Sequence, residues 1–81
     1  MNSSKVYVEV DARFTRDGQL LPRAIIWEDG RRYEIDRVTQ VARRASMKAG
    51  GVGIRYTCIV NGKQSYLFYE VGRWFVERKT A

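Results

Sequence analysis

The sequence predicts an all-β domain: a small antiparallel meander of five to six strands, partly closed and resembling an SH3-like barrel. Three observations carry that expectation. Asn61-Gly62 separates two β-rich runs, residues 54–60 and 63–69. Asp29-Gly30 separates two more, residues 23–27 and 31–35. Residues 5–14 alternate apolar and polar side chains, with Val6, Val8, Val10, Ala12 and Phe14 on one side. Asn-Gly and Asp-Gly between β-rich runs are strong hairpin signals, because a type I′ turn needs positive φ at both central positions. Alternation at period two marks a strand with one buried face.

Taken in order, residues 1–4 are polar and predicted to fray. The first strand then leads into a turn over residues 15–19, where Gly18 takes positive φ. If Ala12 and Ala24 both face inward, that turn holds an odd number of residues, three or five. Pro22 belongs at the beginning of the second strand, where a missing N–H does least harm. A two-residue turn at Asp29-Gly30 sets Ile26 against Tyr33 and Ala24 against Ile35 on the inward face. Outward, it sets Trp27 against Arg32, Ile25 against Glu34, and Arg23 against Asp36.

Residues 36–45 are ambiguous. Ile35, Val38, Val41, Ala42 and Ala45 fit a helical stripe, while Val38, Thr39 and Val41 are β-branched. A bent or bulged continuation of the preceding strand is expected, with one helical turn as the alternative. Residues 46–53 read as the one long loop, given freedom by Gly50, Gly51 and Gly53.

The hairpin at Asn61-Gly62 is the most determinate part of the chain. Its register pairs Val60 with Lys63, Cys58 with Ser65, Tyr56 with Leu67 and Ile54 with Tyr69 on the inward face. Ile59 then meets Gln64, Thr57 meets Tyr66, and Arg55 meets Phe68 on the other. A further turn at residues 70–73 brings Tyr69 opposite Trp74, Leu67 opposite Val76 and Phe68 opposite Phe75. The inward set is therefore the five side chains of the first strand with Ala24, Ile26, Tyr33, Ile35, Ile54, Tyr56, Cys58, Val60, Leu67, Tyr69, Trp74 and Val76.

Eighty-one residues, 44% hydrophobic and 30% charged, make one domain over residues 5–78, with a frayed tail at 79–81. No apolar run is long enough to cross a bilayer, so no membrane partner is expected. The first residues lack a signal peptide's pattern, and Cys58 has no second cysteine to pair with. Both point to the cytoplasm. Residues 1–40 carry seven basic and seven acidic side chains, so the net charge of +6 belongs to residues 41–81.

That basic half frames the binding candidates. Arg43 and Arg44 with Lys48, Gly50 and Gly51 form a basic glycine-rich stretch whose N–H groups and cations suit a phosphate. It is not a P-loop, because no Gly-Lys-Ser/Thr follows the glycines. A plain connection between two sub-sheets is the other reading. Trp27, Tyr66 and Phe68, with Arg32 and Arg55, form an outward set of aromatics and arginines. Such a face serves single-stranded nucleic acid by stacking and phosphate attraction. It equally suits coverage by the chain itself, a protein partner or a homodimer. Phe75, opposite Phe68, argues for coverage. Catalysis has little support: there is no histidine, no metal-ligand spacing, and Cys58 lies mid-strand facing inward. No cofactor is expected.

At Trp27-Glu-Asp-Gly-Arg-Arg-Tyr33, Arg55-Tyr56 and Trp74-Phe-Val-Glu77, the chain resembles a group of small uncharacterised bacterial β domains. The resemblance covers roughly residues 22–78. Some of those proteins are encoded beside lesion-bypass polymerase genes, which implies a DNA-repair accessory role. It carries no assigned site residues. The function expected from the chain is a non-catalytic protein-interaction module, with a basic nucleic-acid-binding accessory domain as the alternative.

Overall fold

The computed structural model describes residues 3–46 and 51–79. They form seven strands and, among the described residues, no helix: β1 (Ser3–Phe14), β2 (Leu20–Ile26), β3 (Arg32–Glu34), β4 (Arg37–Ser46), β5 (Gly51–Val60), β6 (Lys63–Glu70) and β7 (Arg73–Lys79). The sheet order is β3-β2-β1-β7-β6-β5-β4. Two antiparallel meanders, β1 to β3 and β4 to β7, are thus joined where the first strand pairs with the last. Seven strands replace the expected five or six, because the chain turns at Ile35 and Asp36 and starts a separate strand, β4. Ser3, Ser4 and Lys79, expected to fray, are strand residues, with Ser3 paired to Lys79 and Ser4 to Arg78; residues 1, 2, 80 and 81 lie outside the described residues.

The sheet must curl, because β3 and β4 are its opposite edges yet lie only two residues apart in the chain. Three Cα–Cα steps cover at most about 11 Å. The corner is pinned from both sides: the Ile35 N–H donates to the Arg23 carbonyl on β2, and the Asp36 N–H donates to the Ile59 carbonyl on β5. The result is a partly closed half-barrel. Its concave core is centred on Ile25, Tyr56, Cys58 and Leu67, with Trp74 and Tyr69 packed alongside at tilted ring angles.

The β5–β6 register is the expected one at every pair, and β6–β7 pairs Tyr69 with Trp74 and Phe68 with Phe75 as expected. Asn61 and Gly62 both have positive φ, as a type I′ turn demands. Residues 37–46 are the bulged strand rather than a helical turn, with Thr39 the extra residue between the Val38–Cys58 and Gln40–Thr57 pairs.

The first meander departs from expectation by one residue. Between Trp27 and Arg31 the turn holds three residues, not two: the Gly30 N–H donates to the Trp27 carbonyl, and the Trp27 N–H donates to the Arg31 carbonyl. Only Gly30 has positive φ there. This is a type I turn closed by a glycine bulge, supported by the Asp29 carboxylate accepting from the Arg31 N–H. Ile25 therefore pairs with Tyr33 and Val10, while Ile26 pairs with Arg32 and Glu9. Ile25 and Trp27 face the core in place of Ala24 and Ile26. Ala24 is buried all the same, between Asp11 and Glu34 in the ladder, under the Arg32 side chain that bonds both.

The first turn has three residues, within the expected odd count. Pro22 sits beside a bulge at Arg23 rather than at the strand's beginning, another position that needs no N–H. Phe14, expected inside, is 73% exposed at the hairpin's end. Gly51 and Gly53, expected in a loop, are strand residues paired with Ser46 and Arg44. Gly53 is glycine for space: a Cβ there would come within 2.7 Å of Glu70 Cγ.

Candidate functional site

Two concave features and one convex face gather the side chains of interest. The first is a cleft of about 420 Å3 lined by Ile25, Trp27, Tyr33, Tyr66, Val76 and Glu77, among others. It arises because the β6–β7 ladder holds only three pairs, from Glu70–Arg73 to Phe68–Phe75. Beyond Phe68, β6 continues against β5, and beyond Phe75, β7 continues against β1. The expected Leu67–Val76 pair is accordingly not part of the ladder. The cleft lies where the two strands part, and Trp27 reaches it from β2's end with Arg78 over its ring at 5.8 Å.

The second feature is the mouth of the half-barrel, a concavity of about 700 Å3 lined by Phe14, Leu20, Val41, Arg43, Tyr56 and Tyr69, among others. Val41 is half exposed there. The Tyr56 hydroxyl donates to the Leu20 carbonyl across the concave side.

The convex face carries a row in register across four strands: Arg55 on β5, Phe68 on β6, Phe75 on β7 and Tyr7 on β1. Phe68 and Phe75 stack at 5.1 Å, and Tyr7 meets Phe75 edge-on at 5.7 Å. Cations cap these rings. Arg73 lies 3.5 Å from the centre of Tyr7, Lys5 lies 4.6 Å from Phe75, and Arg55 lies 5.0 Å from Tyr66. Lys5 also pairs with Glu70 at 3.3 Å. Phe68 and Phe75 are consequently buried, while Tyr7 and Tyr66 are half exposed.

The site residues expected from sequence are therefore divided. Tyr66, Phe68 and Arg55 share the convex face, as expected. Trp27 does not; the three-residue turn moves it to the concave side, where it meets Tyr66 only at the cleft. Arg32 is tied up on the β2–β3 end of the sheet, 2.8 Å from Asp11 and hydrogen-bonded to Glu34. Arg43 pairs with Ile54 and lines the mouth. Arg44 lies opposite Gly53 and Gly51 opposite Ser46 in the β4–β5 ladder, so neither belongs to a loop. Lys48 and Gly50 lie outside the described residues. Sequence reasoning did not single out Tyr7, Lys5 and Arg73. The alternation that places Tyr7 outward, together with the β1–β7 pairing, is the signal that finds them.

Cys58 is fully buried, and burial pushes its thiol up to about 11, so it stays a neutral thiol at ordinary pH. Among the described residues, no three potential metal ligands cluster. No family model, curated protein or solved structure matches the chain.

Proposed function

We propose that the chain is a non-catalytic protein-interaction module whose contact surface is the cleft walled by Trp27 and Tyr66. The observation that carries this reading is the cleft's make-up. It has aromatic side chains on both sides, an aliphatic floor of Ile25, Val60 and Val76, and a volume in the range of built binding pockets. Rigid aromatics around an apolar centre are what interface hot spots are made of. The test places a photo-reactive phenylalanine analogue at position 66 and, as control, at position 17 in the first turn. A discrete crosslinked product from position 66 alone, in cells that make the protein, is the expected result. Light scattering of the purified protein separates a self-crosslink from a partner. No adduct from position 66 and a monomer in solution would end this reading.

A second reading, a nucleic-acid accessory domain of the kind implied by the resemblance to β domains encoded near lesion-bypass polymerases, draws on the convex face. Lys5, Arg55 and Arg73 lie among four aromatic rings there, an arrangement that suits single strands. Against it, those cations cover the rings on which bases would stack. Titrating fluorescent single-stranded oligonucleotides at low salt tests it. Affinity weaker than about 100 µM, the order of non-specific binding, removes it.

A further inference from the structure

We propose that the open seam between β6 and β7 accepts an extended segment of a partner protein as an added strand, and that this segment alternates apolar and basic side chains. The proposal rests on the interaction-module reading and names the partner's chemistry.

The main-chain direction follows from the two hairpins. A two-residue turn at Asn61-Gly62 makes Val60–Lys63 a hydrogen-bonded pair, and such pairs recur at every second residue: Cys58–Ser65, then Tyr56–Leu67. The N–H and C=O groups of Gln64 and Tyr66 therefore point away from β5, toward β7. The same count from the Val71-Gly72 turn makes Glu70–Arg73 and Phe68–Phe75 bonded pairs and turns the main chain of Glu77 toward β6. The ladder ends at Phe68–Phe75, so Gln64 and Tyr66 on one lip and Glu77 on the other present main-chain groups to the cleft. That is the requirement for strand addition, in which main-chain bonds supply affinity and alternate side chains supply specificity.

Side-chain preference follows from the two sides of the seam. Toward the concave side lie Ile25, Val60, Val76 and Trp27, which take an apolar side chain. The next residue of an extended segment points to the convex side, where Tyr66 and Glu77 stand on facing lips. Glu77 is exposed, and its register partner Lys5 is paired with Glu70 instead. A lysine or arginine of the incoming segment meets a carboxylate that has no side-chain partner among the described residues and stands beside an aromatic ring, a pairing that suits a cation twice over.

Amide hydrogen exchange on the free protein tests the seam without any ligand. The Tyr66 and Glu77 amides are expected to exchange about tenfold or more faster than those of Phe68 and Phe75. Equal protection at all four positions would mean the strands are zipped and would overturn the proposal. The probe for occupancy is the blocked pentapeptide acetyl-Thr-Val-Lys-Val-Thr-amide with its Glu counterpart. The Lys peptide is expected to slow exchange at Tyr66 and to bind about tenfold tighter than the Glu peptide, and Glu77→Lys is expected to reverse that order. N-methylation of alternate peptide nitrogens on the pairing edge should abolish binding. No binding at about 1 mM, unchanged binding after N-methylation on either edge, or an order unaffected by Glu77→Lys would each defeat it. A crosslink from position 66 alongside a zipped seam would leave the module reading standing and this inference refuted; an open seam that binds the peptide without any crosslink would do the opposite.

Discussion

The Tyr56 hydroxyl donates a hydrogen bond to the Leu20 carbonyl, linking β5 to β2, strands that are not neighbours in the sheet. It spans the concave side of the half-barrel near its mouth. Tyr56→Phe keeps the ring against Trp74 and deletes only this link. The expected cost is about 1 kcal/mol in chemical denaturation, the usual net value of one such bond. A change below a few tenths would show that the mouth is held by packing alone.

Leu67 and Phe14 give opposite expectations despite similar hydrophobicity. Leu67 has no exposed surface, and Leu67→Ala should cost about 3 kcal/mol from lost transfer energy plus the cavity left behind. Phe14 is 73% exposed, so Phe14→Ser should change stability by less than about 0.5 kcal/mol. Thermal melts of the two variants side by side check the assignment of inside and outside.

Val71 occupies the first central position of the β6–β7 turn with φ of 52°. A β-branched residue resists that conformation, whereas asparagine adopts it readily. Val71→Asn should therefore stabilise the protein by about 1 kcal/mol. Gly62→Val, which puts a β-branched side chain at φ of 75°, should destabilise it. If both variants melted like the parent, the two type I′ turns would be misassigned.

Alkaline pH should weaken the fold through two buried groups. Burial pushes the Cys58 thiol up to about 11, and burial, then the neighbouring Tyr69, raises the Tyr56 phenol. Both are held neutral in the folded state and ionise more easily when unfolded. The thiol's contribution is complete below its ordinary value of 9.0 and is lost as pH rises toward 11, and the phenol's is lost only above its ordinary value of 10.0. The melting temperature at about pH 10.5 should lie below that at neutral pH, with Cys58→Ala showing a shallower decline.

The run from β5 to β7 was legible because its two turns, Asn61-Gly62 and Val71-Gly72, are two residues long and each fixes one register. Once Asn61-Gly62 is placed, every β5–β6 pair follows, and the glycine at position 72 sets the next turn. The first meander was not, because Trp-Glu-Asp-Gly-Arg supports either a two-residue type I′ turn or a three-residue turn with positive φ at Gly30 alone. The Asp29 carboxylate bonds the Arg31 N–H in the latter, a local bond that residue pattern alone does not reveal. That single residue moved Trp27, one of the three aromatics expected on the outward face, from the convex face to the core side. The cations were legible as residues but not as partners. Arg32 is spoken for by Asp11, twenty-one positions away, and Lys5 by Glu70 and Phe75 at the far end of the chain.

The pairing of β1 with β7 also sets the order of events when the chain folds. Val6 meets Val76, and Val8 meets Trp74, so the strand made first finds its central neighbour only after nearly all the rest has been synthesised. Until then β1 has only β2 and the three-residue β3 on its side of the sheet, a small meander with little to pack on. Closing so long a loop must precede any gain from the contacts it brings, which places the domain among slow folders, in the range of milliseconds to seconds. The hairpins around Asn61-Gly62 and Val71-Gly72 close locally and are available as the template. The half-barrel is completed when β1 docks onto β7, a step that depends on both ends of the chain.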